Sequence, residues 1–254
     1  MGRERNTDYQ RISIEIDSKC SPDGKWKLYV IVAEGDKTEY KYFRALKTKY
    51  AEEFQMSNLY VEFIDREESK AGNSHADIVL ETLDSFLEVL KQKYQPKENY
   101  DELWLIVDTD EYDNRKAAID KINKKCLESS LYKLGLSNPC FEIWLILHFV
   151  DLNTTLKDCV LGETLTESLN DYILKHPIKK RPGICKRKLL PGIHQEKHQP
   201  YYEKLIEYIP QAIPRAKILG GCNPNDSDYP DQKIGTEVYK LLEKLTQLFI
   251  NLDD

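Results

Sequence analysis

Two patterns of apolar and polar residues alternate along the first half of the chain. Continuous apolar runs, typical of strands buried on both faces, are followed by stretches in which apolar residues recur every three or four positions. The runs predict strands at 28–33, 59–64 and 103–107, with a weaker strand at 131–136. The stretches predict helices at about 37–54, 75–94 and 112–127. This alternation implies right-handed crossovers, so the predicted fold is α/β, with a mostly parallel sheet flanked by helices.

The second half of the chain follows a different pattern. Ser137-Asn138-Pro139 predicts the start of a helix, and residues 141–150 are apolar on nearly every side, which predicts that this helix is buried. Beyond it the chain is helical and rich in loops, and it ends in an amphipathic helix. We therefore divide the chain into an N-terminal arm with an edge strand (1–25), a sheet domain (26–150) and a helical region (151–254) whose last helix packs on the core.

Composition narrows the classes of protein that fit. The chain has 254 residues, 41% of them hydrophobic, which is enough for a full core. A net charge of -6 argues against a uniformly basic nucleic-acid binder but allows a local basic patch. No apolar run approaches a membrane span and the start lacks a signal-peptide core, so we expect a cytoplasmic protein without a membrane partner. The six cysteines contain no C-x-x-C pair, which argues against a zinc site or a disulfide framework.

Acidic residues follow two of the predicted strands at the point where each strand ends. Glu34 comes directly after the first strand, and Asp108 and Asp110 come after the third. The carboxyl ends of parallel strands share one edge of the sheet, where ligands bind in open α/β folds. Carboxylates there suit Mg²⁺ or Mn²⁺, which prefer oxygen ligands and leave room for a phosphate. The alternative is that these acids cap the helices that follow them.

Three further acids and one histidine lie on the predicted helices that follow strands. Glu142, in the first turn of the buried helix, either supports a metal or its water as a catalytic residue, or balances the helix dipole. Glu39 fits a capping box with Asp36, and Asp113 fits a first-turn helix acid better than a metal ligand. His148 lies roughly 240° around the helix from Glu142, so we expect it in the core.

A basic segment between residues 175 and 188 stands out in this acidic protein. It contains seven cations and no acid. As a loop it either follows a phosphate backbone or is simply a solvated surface. The candidate nucleic-acid-binding residues are Lys179, Lys180, Arg181, Lys186, Arg187 and Lys188.

Several motifs carry a resemblance to a known family. The glutamate-glycine after the first strand and the D-x-D after the third resemble the TOPRIM domain, and Glu34, Asp108 and Asp110 fall on its metal-binding positions. The segments EGDKTEYKYF, DTDEYDN, SNPCFEIWLILHF and GTEVYKLLEKL resemble the signatures of the RloB-like group of abortive-infection proteins, related to AbiLii. The resemblance implies a TOPRIM-like catalytic domain over residues 26–150 and a nuclease effector with an ATPase partner in bacterial anti-phage defence.

The sequence thus supports one leading hypothesis and two alternatives. The first is a metal-dependent endonuclease that hydrolyses RNA, tRNA among the candidates, or DNA, with Glu34, Asp108, Asp110 and Glu142 in the active site. The second is a non-catalytic module that binds nucleic acid or a partner and whose acids are structural. A primase-like nucleotidyl transferase is the third, although no triphosphate site is evident. The sequence leaves the oligomeric state open, a homo-oligomer included.

Overall fold

The computed structural model of the chain describes residues 26–35, 37–64, 76–93, 96–110, 112–153, 167–193, 202–226 and 229–250. The predicted N-terminal arm and edge strand, Asp36 and the side chain of Asp113 lie outside this description. The described strands are β1 (Lys27–Ala33), β2 (Leu59–Phe63), β3 (Glu102–Asp108), β4 (Tyr132–Asn138) and β5 (Gly235–Thr236). The helices of the sheet region are α1 (Thr38–Lys49), α2 (Ala51–Met56), α3 (Ala76–Lys93), α4 (Tyr112–Glu128) and α5 (Glu142–Leu147). Those after it are α6 (Leu169–Leu174), α7 (Arg181–Ile184), α8 (Leu190–Ile193), α9 (Tyr202–Glu207), α10 (Ile209–Leu219) and α11 (Val238–Ile250).

The described strands form one mixed sheet in the order β2-β1-β3-β4-β5. The first four strands of this order are parallel, and β5 pairs antiparallel with the end of β4. The chain leaves β1 for β2 on one side and then crosses through α3 to β3 on the other side. The strand order therefore reverses between β1 and β3, and in open α/β sheets ligands bind at the carboxyl ends of the strands beside such a switch point. The predicted α/β fold is confirmed.

Strands β1 and β3 are buried on both faces because both faces carry helices. Alternate residues such as Ile31 and Ile106 face a core shared with α1, α5 and the helices of the C-terminal region, including α11. Their neighbours Val32 and Leu105 face a second core formed with α3 and α4. This double burial is the physical reason for the continuous apolar runs, since neither face of either strand meets water.

The helix predicted to begin at Ser137-Asn138-Pro139 begins later in the structure. Strand β4 extends through Asn138, and α5 begins at Glu142. Ser137 and Asn138 are therefore not helix caps. The Ser137 hydroxyl hydrogen-bonds that of Thr236, and the Asn138 side chain binds Thr109 and the carbonyl of Pro230. The prediction was wrong because the pairing with β5, a strand of two residues, leaves no periodic pattern in the sequence.

The basic segment is helical rather than the predicted loop. A short 3-10 turn (Ile178–Lys180) leads into α7, a π-helical turn (Cys185–Leu189) and α8 without a break. Ile184, Cys185 and Leu189 are buried and anchor this turn to the core. Among the described helices none has the length and apolarity needed to cross a membrane.

Candidate metal-binding and catalytic site

The structure brings the acids that follow β1 and β3 together at the carboxyl edge of the sheet. Ala33 is in register with Ile106, and the backbone N–H of Glu34 donates to the Ile106 carbonyl at 2.9 Å. The carboxylate of Glu34 accepts a hydrogen bond from the backbone N–H of Asp108 at 3.2 Å. The expected convergence of Glu34 and Asp108 is therefore present, and it follows from the parallel pairing of the two strands.

Arg115, in the first turn of α4, holds two of these acids directly. Its guanidinium Nη1 lies 2.6 Å from Glu34 Oε1 and 2.8 Å from Asp110 Oδ1. The arginine is buried, as is Glu34. Arg115 was not predicted as a site residue, although it is the first cation that follows Asp110 in the sequence, which was a usable signal.

Asp108 and Glu142 meet where β3 faces the start of α5. Asp108 Oδ1 accepts a hydrogen bond from the backbone N–H of Phe141 at 2.8 Å, so it serves the helix that follows β4 rather than the one that follows its own strand. Glu142 is 7% exposed, and its Oε2 atom has no hydrogen-bond partner among the described residues. Glu142 thus lies at the same edge as Asp108, as predicted.

Lys186 reaches this edge from the π-helical turn. Its ammonium nitrogen lies 4.0 Å from Asp108 Oδ2, 3.6 Å from Asp110 Oδ2 and 3.8 Å from Glu142 Oε2. All three distances are longer than a hydrogen bond. We predicted Lys186 as a residue of a nucleic-acid-binding loop, and its position among the carboxylates was not visible in the sequence.

Glu39 is a fourth buried acid at this edge that we had assigned elsewhere. Helix α1 begins at Thr38 with Lys37 as its N-cap and has no side-chain cap hydrogen bond, so the predicted capping box is wrong. The Glu39 carboxylate instead lies over Gly35, where an added Cβ would stand 2.0 Å from Oε2. The glycine after Glu34 therefore makes room for a second glutamate. We call Glu34, Glu39, Asp108, Asp110 and Glu142 the carboxylate cluster.

In the part of the chain that the structure describes, the carboxylate cluster has more acids than cations in contact with it. Among the described residues its five carboxylates are balanced by Arg115 and Lys186, which leaves an excess of three negative charges when all are ionised. Burial, and then the charge of Glu142, raise the pKa of Glu39 to about 7. Burial, with the charges of Glu39, Glu142 and Asp110, raises the pKa of Asp108 well above its usual value. Bound protons thus relieve part of the excess in the absence of another cation.

The donor set fits a hard divalent cation in its chemistry. Asp108, Asp110 and Glu142 each direct one carboxylate oxygen toward the same place, and Mg²⁺ and Mn²⁺ favour such oxygens. Across the described residues, no three Asp, Glu, His or Cys side chains stand in a geometry that could hold a metal ion. The place between the three oxygens is taken by the Lys186 ammonium, and Glu34 faces Arg115.

The other predicted nucleic-acid-binding residues divide into two groups. Lys179, Lys180, Arg187 and Lys188 are exposed on the helical segment that carries Lys186. Arg181 is 5% exposed, and its guanidinium donates to the carbonyls of Leu174 and His176 at 3.0 and 2.9 Å. Its assignment as a nucleic-acid-binding residue was therefore wrong, because these backbone bonds commit it to holding the turn before α7.

His148 lies in the core, as predicted. Its Nδ1 atom is 2.8 Å from the Trp144 carbonyl and its Nε2 atom is 3.1 Å from the Tyr42 hydroxyl. A carbonyl only accepts, so Nδ1 donates and the tyrosine hydroxyl donates to Nε2. Burial lowers the pKa of His148 to about 3, so the ring is neutral and takes no part in the cluster.

Fold and site together define an α/β protein with an acidic centre at the switch point of a parallel sheet. A family model for the RloB-like proteins matches residues 29–245. The chain therefore belongs to the RloB-like family. No curated protein and no solved structure matched the chain.

Proposed function

We propose that this protein is a divalent-metal-dependent endonuclease of the TOPRIM type. Asp108, Asp110 and Glu142 would hold Mg²⁺ or Mn²⁺, with Glu34 as a further ligand through its Oε2 atom. A bound metal of this kind activates water and stabilises the charge that develops on a phosphodiester. The chain's own residues position the reaction, because Arg115 fixes Glu34 and Asp110, and the Phe141 N–H fixes Asp108.

The observation that carries this proposal is the convergence of three carboxylates, from Asp108, Asp110 and Glu142, on a single ammonium group. Burying an unpaired carboxylate is costly, so structural acids in protein interiors are normally matched by cations or hydrogen-bond donors. Here three carboxylate oxygens converge at a distance beyond hydrogen bonding from one ammonium, and Glu142 Oε2 has no hydrogen-bond donor among the described residues. An additional cation would relieve this arrangement.

The exposed cations on the helical segment of Lys186 suggest how a polyanion would bind. Lys179, Lys180, Arg187 and Lys188 share the helical segment whose Lys186 points into the cluster. Neutralising phosphates along such a surface supplies affinity without sequence specificity. RNA, including tRNA, and DNA remain the substrate candidates. Membership of the RloB-like family supports a role as an effector of anti-phage defence beside an ATPase partner.

A second function is favoured by the contacts of Arg115. Its close pairing with Glu34 and Asp110 is what a structural ion pair requires, and the described residues contain no ready metal geometry. On this hypothesis the protein is a non-catalytic module that binds nucleic acid or the partner, and the acids stabilise the sheet edge.

A cleavage assay separates the two functions. The purified protein is incubated with total tRNA, plasmid DNA and phage DNA, in Mg²⁺, in Mn²⁺ and in EDTA. A parallel series includes the proposed ATPase partner. We expect metal-dependent cleavage of one substrate class that is lost in Asp108→Asn. The binding module would be established instead by two results together. The wild type would cleave none of the substrates, and a variant that lacks Asp108, Asp110 and Glu142 would still bind nucleic acid or the partner with full biological effect.

A further inference from the structure

The two cations of the carboxylate cluster are held in different ways. Arg115 is 10% exposed at its side chain and contacts Glu34 and Asp110 at 2.6 and 2.8 Å. Lys186 is 40% exposed and stands 3.6–4.0 Å from its three carboxylate partners. The first geometry is a fixed ion pair. The second is an ammonium held by the summed field of several charges, without a direct hydrogen bond to any of them.

The backbone beneath Lys186 is fixed, so the freedom lies in its side chain. Cys185 and Leu189, at the two ends of the π-helical turn, are fully buried, and the Cys185 thiol contacts that of Cys140 next to α5. The four-carbon stem of the lysine therefore carries the charge from an anchored turn into the cluster. A lysine on such a stem can exchange partners without any change in the fold.

We propose that Lys186 is the resident cation of the carboxylate cluster, which a divalent metal displaces and thereby frees to bind a substrate phosphate. This inference rests on the proposed function, since it concerns the same site. In the metal-free protein the ammonium balances Asp108, Asp110 and Glu142. When a metal takes these oxygens, the ammonium is repelled and joins the exposed Lys179, Lys180, Arg187 and Lys188 on the same segment. Metal and polyanion binding are then linked, and the linkage runs through one side chain.

The first test measures metal binding without any reaction. Thermal unfolding is followed while Mn²⁺ is titrated into the wild type, Lys186→Met and Lys188→Met. Lys188→Met is the matched control, because Lys188 is exposed on the same turn and its substitution removes the same charge. We expect Lys186→Met to lower the melting temperature in EDTA. The Mn²⁺ concentration at which half of the rise in melting temperature is reached, which we call the Mn²⁺ midpoint, should become roughly tenfold lower, since the competing ammonium is gone. The midpoint of Lys188→Met should stay close to that of the wild type.

The outcomes of this titration separate the two proposals. A wild type that responds to Mn²⁺, together with an unchanged or higher midpoint in Lys186→Met, overturns the role of Lys186 and leaves the metal site intact. A wild type that shows no response at any Mn²⁺ concentration overturns the metal site itself, and the resident-cation role with it. Asp108→Asn, which should lose the response, shows whether the midpoint reports on this cluster.

The second test measures the linkage to a polyanion. Binding of a phosphorothioate oligonucleotide, which resists cleavage, is compared in EDTA and in Mn²⁺. In EDTA, Lys186→Met should bind the oligonucleotide as tightly as the wild type does, because the wild-type ammonium is then engaged with the carboxylates. In Mn²⁺, Lys186→Met should bind it several-fold more weakly than the wild type does. Lys188→Met should bind more weakly by the same factor in both conditions. A deficit of Lys186→Met that is equal with and without metal would overturn the exchange, because it would describe an ordinary surface lysine.

Discussion

Strand β3 carries a buried carboxylate at each end, and the two differ in the cations and hydrogen-bond donors that surround them. Glu102, at the amino end, accepts hydrogen bonds from Lys244 and Lys27 and from the indole N–H of Trp104 at 2.8–3.2 Å. Asp108, at the carboxyl end, has the Phe141 N–H on one oxygen and the more distant Lys186 near the other. Their exposures are similar, at 7% and 6%, so burial does not distinguish them.

The pKa shifts of the two carboxyls follow from their neighbours. Burial alone would raise the pKa of Glu102, but the hydrogen bond and charge of Lys244, with Lys27 and Trp104, outweigh it and lower that pKa. At Asp108 burial and three neighbouring acids act in the same direction and raise the pKa. A structural carboxylate in this protein is thus matched within the fold. The acids at the other end depend on a charge that the fold supplies only in part, which is the pattern expected of functional sites.

The largest effect that separates the two ends is expected in catalysis. Asp108→Asn should lower cleavage by about a thousandfold or more, because the proposed metal, which Asp108 would help to hold, would contribute several kcal/mol of charge stabilisation. Glu102→Gln should leave the cleavage rate per folded molecule within about threefold of the wild type. Rates are measured on the substrate found in the cleavage assay, at saturating Mg²⁺. Equal losses in both variants would mean that stability, not chemistry, limits the activity.

Arg115 offers the next largest effect, as the buried cation of the carboxyl end. Arg115→Met should lower the free energy of unfolding by about 3–5 kcal/mol, because it leaves the buried Glu34 and the partly buried Asp110 without their closest counter-charge. Urea denaturation of metal-free protein measures this loss. Arg187→Met, which removes an exposed arginine from the helical basic segment, should change stability by less than about 0.5 kcal/mol. A loss from Arg115→Met as small as that of the control would mean that water already screens the two acids.

The fold was largely predictable because burial on two faces leaves a strong pattern. The continuous runs of β1 and β3 and the helical periodicity of α4 have no other stable arrangement than a covered parallel sheet. Strand β5 was not predictable, since two residues carry no period. The start of α5 was predicted too early, at 137–139 and not at Glu142, because the pairing with β5 keeps Ser137 and Asn138 in strand β4.

The site was predictable only as far as strand ends determine it. Glu34, Asp108, Asp110 and Glu142 follow strands or begin a helix at one edge of the sheet, so topology alone brings them together. The cations do not follow this rule. Lys186 comes from a helical segment, 44 residues after Glu142 in the sequence, and it is placed by the packing of Cys185 and Leu189, which no local pattern encodes. Its likeness in sequence to exposed neighbours such as Lys188 concealed its different role.

Glu39 gives a third prediction, in which the carboxyl end should lose stability as pH rises. Its folded-state pKa of about 7 lies above its ordinary value of 4.5, so the folded protein holds this proton more tightly than the unfolded chain does. The free energy of unfolding in EDTA should therefore fall as the pH rises from about 4.5 to about 7. Glu39→Gln should remove the part of this fall that Glu39 causes, so that its gain in free energy of unfolding over the wild type grows by up to roughly 3 kcal/mol between pH 4.5 and pH 8.

Urea denaturation across this pH range, with exposed Glu203→Gln as the control, measures the Glu39 effect. Parallel curves for the wild type and Glu39→Gln would show that the Glu39 carboxyl is ionised at little cost, and the charge excess of the cluster would then be smaller than we infer. Curves that converge at low pH and separate at high pH would show that the ionised Glu39 carboxylate lowers the stability of the fold, because too little positive charge surrounds it.

The smallest effect is expected at the matched carboxylate. Glu102→Gln should lower the free energy of unfolding by about 1–2 kcal/mol, because Lys244 and Lys27 lose a charged acceptor while the glutamine oxygen still accepts from Trp104. The lysine side chains are 42% and 28% exposed, so 1 M NaCl should reduce this loss by screening. Lys240→Met, on the same helix as Lys244, removes a surface pair and serves as the control.

Asp108→Asn should have the opposite effect in EDTA and raise the free energy of unfolding. It removes a charge that its neighbours repel, while its amide oxygen still accepts from the Phe141 N–H. If Glu102→Gln and Asp108→Asn destabilise the metal-free protein equally, the two ends of β3 are energetically alike. The charge excess at the carboxyl end would then contribute nothing to the binding of a cation.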